Sequence, residues 1–199
     1  MLIALNPAAM SSIRQSSGYT HTAIALHWVI ALALACTFGL GLYMHELPLS
    51  PQKLKLYSWH KWAGVTIFLF VALRLAWRLG HRPPALPILM PAWQRRAAEA
   101  THVLLYVLMF TVPLSGWLMS SAKGFQTVWF GVLPLPDLLQ KDAELGDLLQ
   151  QVHMILNFSM AGLVLAHLGA ALKHHLIDRD DVLARMLPFL AHAKSGANQ

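Results

Sequence analysis

The segment from Gln151 to Leu172 constrains this chain most, because it is a long apolar stretch that carries two histidines, His153 and His167. A bilayer core about 30 Å thick is crossed by about 20 apolar residues, and it tolerates a polar side chain that has a partner or a function. Fourteen residues of α-helix advance about 21 Å in about four turns, so both imidazoles leave one face. The segment predicts a transmembrane helix with a candidate ligand near each membrane surface.

The composition and the other apolar runs indicate an integral membrane protein with one main domain. Of 199 residues, 56% are hydrophobic and 12% are charged, against about a quarter charged in an ordinary soluble domain. Further spans are predicted at about 22–44, 59–79 and 98–120. The expected fold is therefore all-α, an integral membrane four-helix bundle at residues 21–188, with a flexible N-terminal tail at 1–20 and a polar C-terminal tail at 189–199.

Four spans place both chain ends on one side of the membrane. We call side A the side with the termini and the loop between the second and third spans, and side B the opposite side. Side A receives ten of the 15 Lys and Arg residues but four of the nine acids, whereas five Lys and five acids fall on side B. The positive-inside rule predicts that side A, with both termini, is cytoplasmic.

This topology predicts which histidines share a depth in the membrane. His27 lies near the start of the first span on side A, and His60 near the start of the second span on side B. The fourth span begins on side B, so His153 is level with His60, and His167 is level with His27. Two neutral imidazoles that face each other across a bundle can bind one haem iron axially. The pattern therefore predicts two bis-histidine haems, with His27 paired to His167 and His60 paired to His153.

Two glycines repeat the same fourteen-residue interval. Gly41 follows His27 by fourteen residues, and Gly116 follows His102 by fourteen. Small residues therefore share those helix faces at the level of the other haem, where a flat macrocycle needs close approach. The plainer alternative is that both glycines serve helix packing alone.

Arg74 and His102 are predicted at the level of the side A haem. Arg74 follows His60 by fourteen residues, which would direct its guanidinium toward a propionate or a quinone carbonyl. The alternative is an end charge whose stem extends along apolar surface. His102 is expected to donate a hydrogen bond to a propionate or quinone, or alternatively to replace His27 or His167 as a ligand. A single intramembrane histidine can also simply hydrogen-bond across helices, but the depth-matched pairs favour haem ligation.

Short motifs extend over all four spans, from about Tyr19 to Pro188. They are ALHW at 25–28, H-x3-G at 60–64 followed by Arg74, H-x3-Y at 102–106, P-x2-G at 113–116, and H-x13-H at 153–167 followed by His174 and His175. In combination they resemble the bacterial cytochrome b561 family, four-helix membrane bundles with two b-type haems. The resemblance implies the same four ligands, His27, His60, His153 and His167.

The resemblance also implies an activity, which is electron transfer in the bacterial inner membrane between a periplasmic reactant and the quinone pool. Members of the family are regarded as superoxide oxidases that pass the electron to ubiquinone. Lys53, Lys55 and Lys61 surround the side B entrance beside His60 and are predicted to steer superoxide toward it. The plainer alternative is an ordinary solvated loop.

Two other function classes fit parts of the pattern. A haem-bearing anchor subunit of a dehydrogenase or hydrogenase would co-purify with a large redox partner, although the sequence requires no protein partner. A histidine-lined metal-ion transporter could use the 11 His. Cation pathways normally recruit carboxylates within the spans, however, and the span interiors contain none. Nucleic-acid binding is not predicted, because the basic residues lie at the ends of apolar runs.

Overall fold

The computed structural model describes residues 18–87 and 90–190, in which the dominant elements are four long helices. Their bounds are α1, His21–Glu46; α2, Pro51–Gly80; α3, Ala92–Ala122; and α4, Ala143–Lys173, which a π-helical turn extends through His174–Asp178. Each is long and apolar enough to cross a membrane. The predicted all-α four-helix membrane bundle is confirmed. Of the predicted tails, residues 1–17 and 191–199 lie outside the described residues.

Side chains just before the helices fix where three of them begin. Thr20, Ser50 and Asp142 accept hydrogen bonds from backbone N–H groups in the first turns of α1, α2 and α4. Pro51 follows Ser50 at the first helical position, where the missing N–H has no helical partner to lose. Helix α2 therefore begins at residue 51 and α4 at residue 143, each eight residues before the predicted spans at 59 and 151.

The helices pack as two hairpins, α1 against α2 and α3 against α4, and α2 also packs against α3. Ile30, Ile67 and Val71 form the buried centre where these helices meet. Within the described residues α1 and α4 have few close backbone approaches, and Phe38 and Phe158 bridge them edge to face at a ring-centroid distance of 5.7 Å. The bundle therefore leaves side-chain space between α1 and α4, above and below an apolar centre.

A short β-hairpin interrupts the connection from α3 to α4. Strand β1, Val128–Trp129, pairs antiparallel with β2, Leu133–Pro134. The intervening loop holds Phe130 and Gly131 in the left-handed region, with φ of 51° and 73°. The hairpin lies on side B, where α3 ends and α4 begins.

Candidate functional site

Two pairs of histidines face each other across the bundle. The ring centroids of His60 on α2 and His153 on α4 are 6.3 Å apart, and those of His27 on α1 and His167 on α4 are 6.4 Å apart. A metal–imidazole bond of about 2 Å and a ring nitrogen about 1.2 Å from the ring centre put two opposed ligands about 6.4 Å apart, centre to centre. Both separations therefore fit two axial ligands of one metal ion.

Glycines pack directly against the side B pair. A Cβ atom at Gly116 would lie 3.0 Å from Cε1 of His153, and one at Gly41 would lie 3.3 Å from Cε1 of His60. The fourteen-residue interval predicted close approach by a macrocycle at these positions. The close approach in the structure is to the imidazoles themselves, so the two missing side chains leave room for the rings.

The outward nitrogen of His153 has two polar neighbours on α3. Its Nδ1 lies 3.1 Å from the carbonyl oxygen of Val112 and 2.9 Å from Oγ of Ser115. Ser115 Oγ itself donates to the Val112 carbonyl at 2.8 Å, which leaves its lone pairs to accept from Nδ1–H. Such contacts fix the tautomer of a ligating imidazole and leave Nε2 free to bind the metal. The sequence interpretation missed Ser115, for which the sequence gives no signal of its own.

His60 lies in a related position against α1. The backbone of Thr37 lies close enough to interact with this imidazole, but the buried Nδ1 atom has no well-formed hydrogen bond among the described residues. Thr37 precedes Gly41 by four residues, as Val112 precedes Gly116. At each site the glycine has no side chain, so the imidazole can approach the backbone of the residue one helical turn earlier.

The side A pair has a third imidazole beside it. The ring centroid of His102 on α3 is 5.3 Å from that of His167, which is shorter than the spacing of two opposed ligands. The geometry therefore favours His27, and not His102, as the partner of His167 across a shared ion. Arg74 lies close enough to all three imidazoles for electrostatic interaction, and its Nη1 donates to the Ala23 carbonyl at 2.7 Å.

A small cavity of about 40 Å³ opens beside Arg74, with Arg78 and Tyr106 also in its wall. The Tyr106 hydroxyl is buried and has no hydrogen-bond partner among the described residues. The Arg78 guanidinium lies 5.8 Å from the centre of the Tyr106 ring. Two cations and an unpaired hydroxyl suit a ligand with acceptor oxygens. The sequence interpretation gave Tyr106 no role, although its i+4 spacing from His102 puts both on one face of α3.

The three lysines predicted to steer superoxide have different environments. Lys53 Nζ donates to the carbonyl oxygens of His45 and Leu47, at the end of α1. Lys61 Nζ donates to Ser120 Oγ and to the carbonyls of Phe125 and Gln126, at distances of 3.1–3.2 Å. Lys55 is exposed, and its Nζ lies 5.1 Å from the centre of the Trp59 ring. Two of the lysines thus bind carbonyls near the ends of helices, and Lys55 presents its charge to the surface.

Carboxylates near histidine occur at the end of the bundle. In residues 18–87 and 90–190, the cluster that could hold a metal ion is His174, Asp178 and Asp180, beyond α4 on side A. His174 Nδ1 lies 2.6 Å from Asp180, and Lys173 Nζ lies 2.7 Å from Asp178, so ion pairs account for this cluster. Among the described residues the paired imidazoles belong to no such cluster, whereas cation pathways normally recruit carboxylates.

Known proteins with similar sequences identify the family of this chain. A family model described as prokaryotic cytochrome b561 matches residues 18–189. Cytochrome b561 homolog 2 of Escherichia coli is 35% identical over 180 residues, which cover 89% of this chain and 95% of that protein. Homolog 1 of the same organism is 30% identical over 173 residues, 85% of this chain and 97% of the homolog. Probable superoxide oxidase CybB of Yersinia pestis is 26% identical over 175 residues, 85% of this chain and 96% of that protein. The chain belongs to the prokaryotic cytochrome b561 family of haem-binding membrane proteins.

Proposed function

We propose that this protein is a di-haem b-type cytochrome of the bacterial inner membrane that passes electrons from periplasmic superoxide to ubiquinone. The observation that carries the proposal is the two imidazole separations, 6.3 Å for His60 and His153 and 6.4 Å for His27 and His167. When bound, haem b supplies an iron that gains and loses one electron. The four imidazoles would hold two such groups, with His60 and His153 binding one and His27 and His167 binding the other.

The spacing along α4 supports transfer across the membrane. His153 and His167 are fourteen residues apart on one helix, which is about 21 Å along its axis. One binding site therefore lies toward each membrane surface. With both termini in the cytoplasm, as the excess of basic residues on side A favours, the His60 and His153 site faces the periplasm.

The proposed reaction balances without any protein group being consumed. Two superoxide anions each give up one electron and become dioxygen, while ubiquinone takes two electrons and two protons and becomes ubiquinol. The relative from Yersinia pestis is named a probable superoxide oxidase, which supports this choice of donor. On side B the exposed charge of Lys55 would raise the local concentration of a small anion.

On side A the polar groups suit a quinone acceptor. Arg74, Arg78 and Tyr106 line one cavity, and His102 stands beside His167. Guanidinium and phenol donors can bind the carbonyl oxygens of a quinone, and the same groups can bind a haem propionate. We assign Arg74 and His102 to these contacts.

The decisive experiment is a dithionite-reduced minus oxidised visible spectrum of the purified protein, with haem counted per chain. We expect two low-spin b haems in the parent protein and one in each of the single variants His60→Ala and His27→Ala. His45→Ala is the matched control, because His45 is exposed at the end of α1, and it should keep both. A preparation without haem after reconstitution, or two haems in His60→Ala, would contradict the proposal.

The choice of reactants needs a separate assay. Protein with two haems per chain is placed in liposomes that contain ubiquinone, superoxide is generated outside, and ubiquinol is measured. Ubiquinol should form in proportion to the superoxide consumed, at one quinol per two anions. If ubiquinone stayed oxidised, superoxide and ubiquinone would be excluded as the reactants. The proposed haem sites would be unaffected by that result.

A further inference from the structure

The hairpin between α3 and α4 folds back along the membrane-spanning part of α2. The indole N–H of Trp62 donates to the Val128 carbonyl at 2.6 Å, and that of Trp129 donates to Thr66 Oγ1 at 3.3 Å. Trp62 and Thr66 lie well inside α2, more than two turns past its first residue, Pro51. The hairpin is therefore held beside the bundle and not above it.

Several polar backbone groups of the hairpin are hydrogen-bonded within the protein. Leu135 N–H donates to the Thr127 carbonyl at 2.8 Å, and the loop N–H groups of Gly131 and Val132 donate back into β1 at 3.1 Å. The Leu135 carbonyl in turn accepts from the Gln126 side chain at 3.1 Å. Such internal hydrogen bonds favour placement of a backbone segment in lipid, since no water is available there to bond an open group.

The outer surface of the hairpin is apolar. Residues 125–136 contain no charged side chain, and Val132 and Phe130 are 83% and 58% exposed. Phe130 adopts a left-handed backbone that is rare for an aromatic residue, and its ring packs between Trp62 and Trp129 at centroid distances of 5.5 and 5.1 Å. The turn therefore keeps large apolar groups at its tip.

We infer that the segment Thr127–Leu135 is a lipid-immersed anchor, with Phe130 and Val132 in contact with acyl chains at the interface of the side B leaflet. Lipid is the occupant because the hairpin lies against an apolar, span-length helix, one turn from Trp59, whose exposed ring suits a membrane interface. Uncharged, internally bonded backbone beside a membrane span fits a bilayer better than a water-soluble partner. This inference does not depend on the haem sites or on the electron donor.

The test measures the depth of a nitroxide label on the full chain in lipid nanodiscs. Cys36, which is exposed, is first replaced by alanine, and single cysteines are then introduced as Val132→Cys and Leu49→Cys. Leu49 is the matched control because it is apolar, 83% exposed like Val132, and also on side B. It precedes the N-cap Ser50, which is about 18 Å from Trp62 along α2. Power saturation then compares collisions with dioxygen, which concentrates in acyl chains, and with a water-soluble nickel chelate.

We expect the label at residue 132 to collide several-fold more with dioxygen than with the nickel chelate, and the label at residue 49 to show the reverse preference. A residue 132 label as open to nickel as the residue 49 label would place the hairpin in water and overturn the inference. A label shielded from both reagents would mean that a second protein surface covers the tip, which would also overturn it. The haem spectrum of each labelled sample reports separately whether the bundle is intact.

Discussion

The two ends of the bundle hold imidazole pairs of almost equal separation in different surroundings. On side B, His60 and His153 each lie against a glycine and the helix backbone one turn earlier. On side A, His27 and His167 have the guanidinium of Arg74 and a third imidazole, His102, as neighbours. Side B is thus controlled by close packing, and side A by charge and by polar groups that open to a cavity.

This difference indicates a division of roles between the two ends. Close packing fixes the orientation of a ligand and leaves little space for a further molecule. A guanidinium in a low-dielectric interior acts over several ångströms. The buried Tyr106 hydroxyl has no hydrogen-bond partner among the described residues, and leaving such a group unpaired costs free energy. Side A therefore has the features of a site that also binds an exchangeable ligand, which fits quinone reduction there. The tighter packing on side B is compatible with the electron entry proposed there.

The largest effect should come from filling the glycine space on side B. In Gly116→Val the new side chain would displace the His153 ring, since even a Cβ atom would lie 3.0 Å from Cε1. We expect the affinity of the side B haem to fall by about 10- to 100-fold, as for other residues that position metal ligands, with the side A haem retained. Titration of haem into apoprotein measures both.

Gly162→Val is the control for this change, because a Cβ at Gly162 meets nothing within 4 Å in the described structure. It should bind two haems with parent affinity. Equal haem loss in both variants would mean that the effect is one of helix packing in general, and the contrast between the two sides would lose its basis.

A smaller effect is expected on side A, where the test removes the charge of Arg74. In Arg74→Gln, the haem beside His27 and His167 loses a nearby cation that favours the electron-rich reduced state. We expect its midpoint potential to fall by about 50 mV, a factor of about seven in the redox equilibrium, while the side B potential stays constant. Spectroelectrochemical titration separates the two, with His60→Ala as the single-haem reference.

Arg74→Lys keeps the charge but loses the planar fork that donates to the Ala23 carbonyl. Its potential should stay near that of the parent, while its Michaelis constant for ubiquinone rises. If Arg74→Gln shifted both haems equally, the guanidinium would act through the whole bundle, and the electrostatic distinction between the two sides would fail.

The histidine pairing could be predicted from sequence because helix geometry is nearly invariant. A fixed rise and turn per residue convert the interval from His153 to His167 into a depth and a face, and the order of the spans then pairs each histidine with a partner. The same arithmetic put Gly41 and Gly116 at the side B level, where the structure has them. It could not say that they would meet imidazoles, because that depends on how far apart the helices pack.

Other features depend on contacts between distant segments, which periodicity does not report. The roles of Lys53 and Lys61 follow from where the ends of α1 and α3 come to lie, and a sequence pattern treats both as surface charges. The hairpin has two residues in each strand and an aromatic residue in a left-handed turn. Neither the alternation of apolar and polar residues nor the usual turn residues therefore predict it. His174 reaches Asp180 because the chain reverses at Arg179, whose φ is 54°.

The smallest expected effect concerns the side B lysines. It decides whether each lysine stabilises the fold by binding carbonyls near a helix end or steers superoxide toward the protein. Lys55→Gln removes an exposed charge beside Trp59, so superoxide consumption should slow by about two- to threefold at low salt and less at high salt, with unchanged thermal stability. Lys61→Gln loses three hydrogen bonds that join α2 to the end of α3, and we expect its melting temperature to fall by about 5 °C. Stopped-flow superoxide decay over a salt series and a thermal scan measure the two effects.

A slower, less salt-dependent reaction in Lys61→Gln at unchanged melting temperature, with Lys55→Gln like the parent, would assign steering to the half-buried Lys61. A charge within the protein would then act at side B, as Arg74 does at side A. The contrast between a packed end and a charged end would have to be abandoned. The opposite result would leave Arg74 as the charge that acts on a histidine pair and Lys55 as one that acts only on the approach of the substrate.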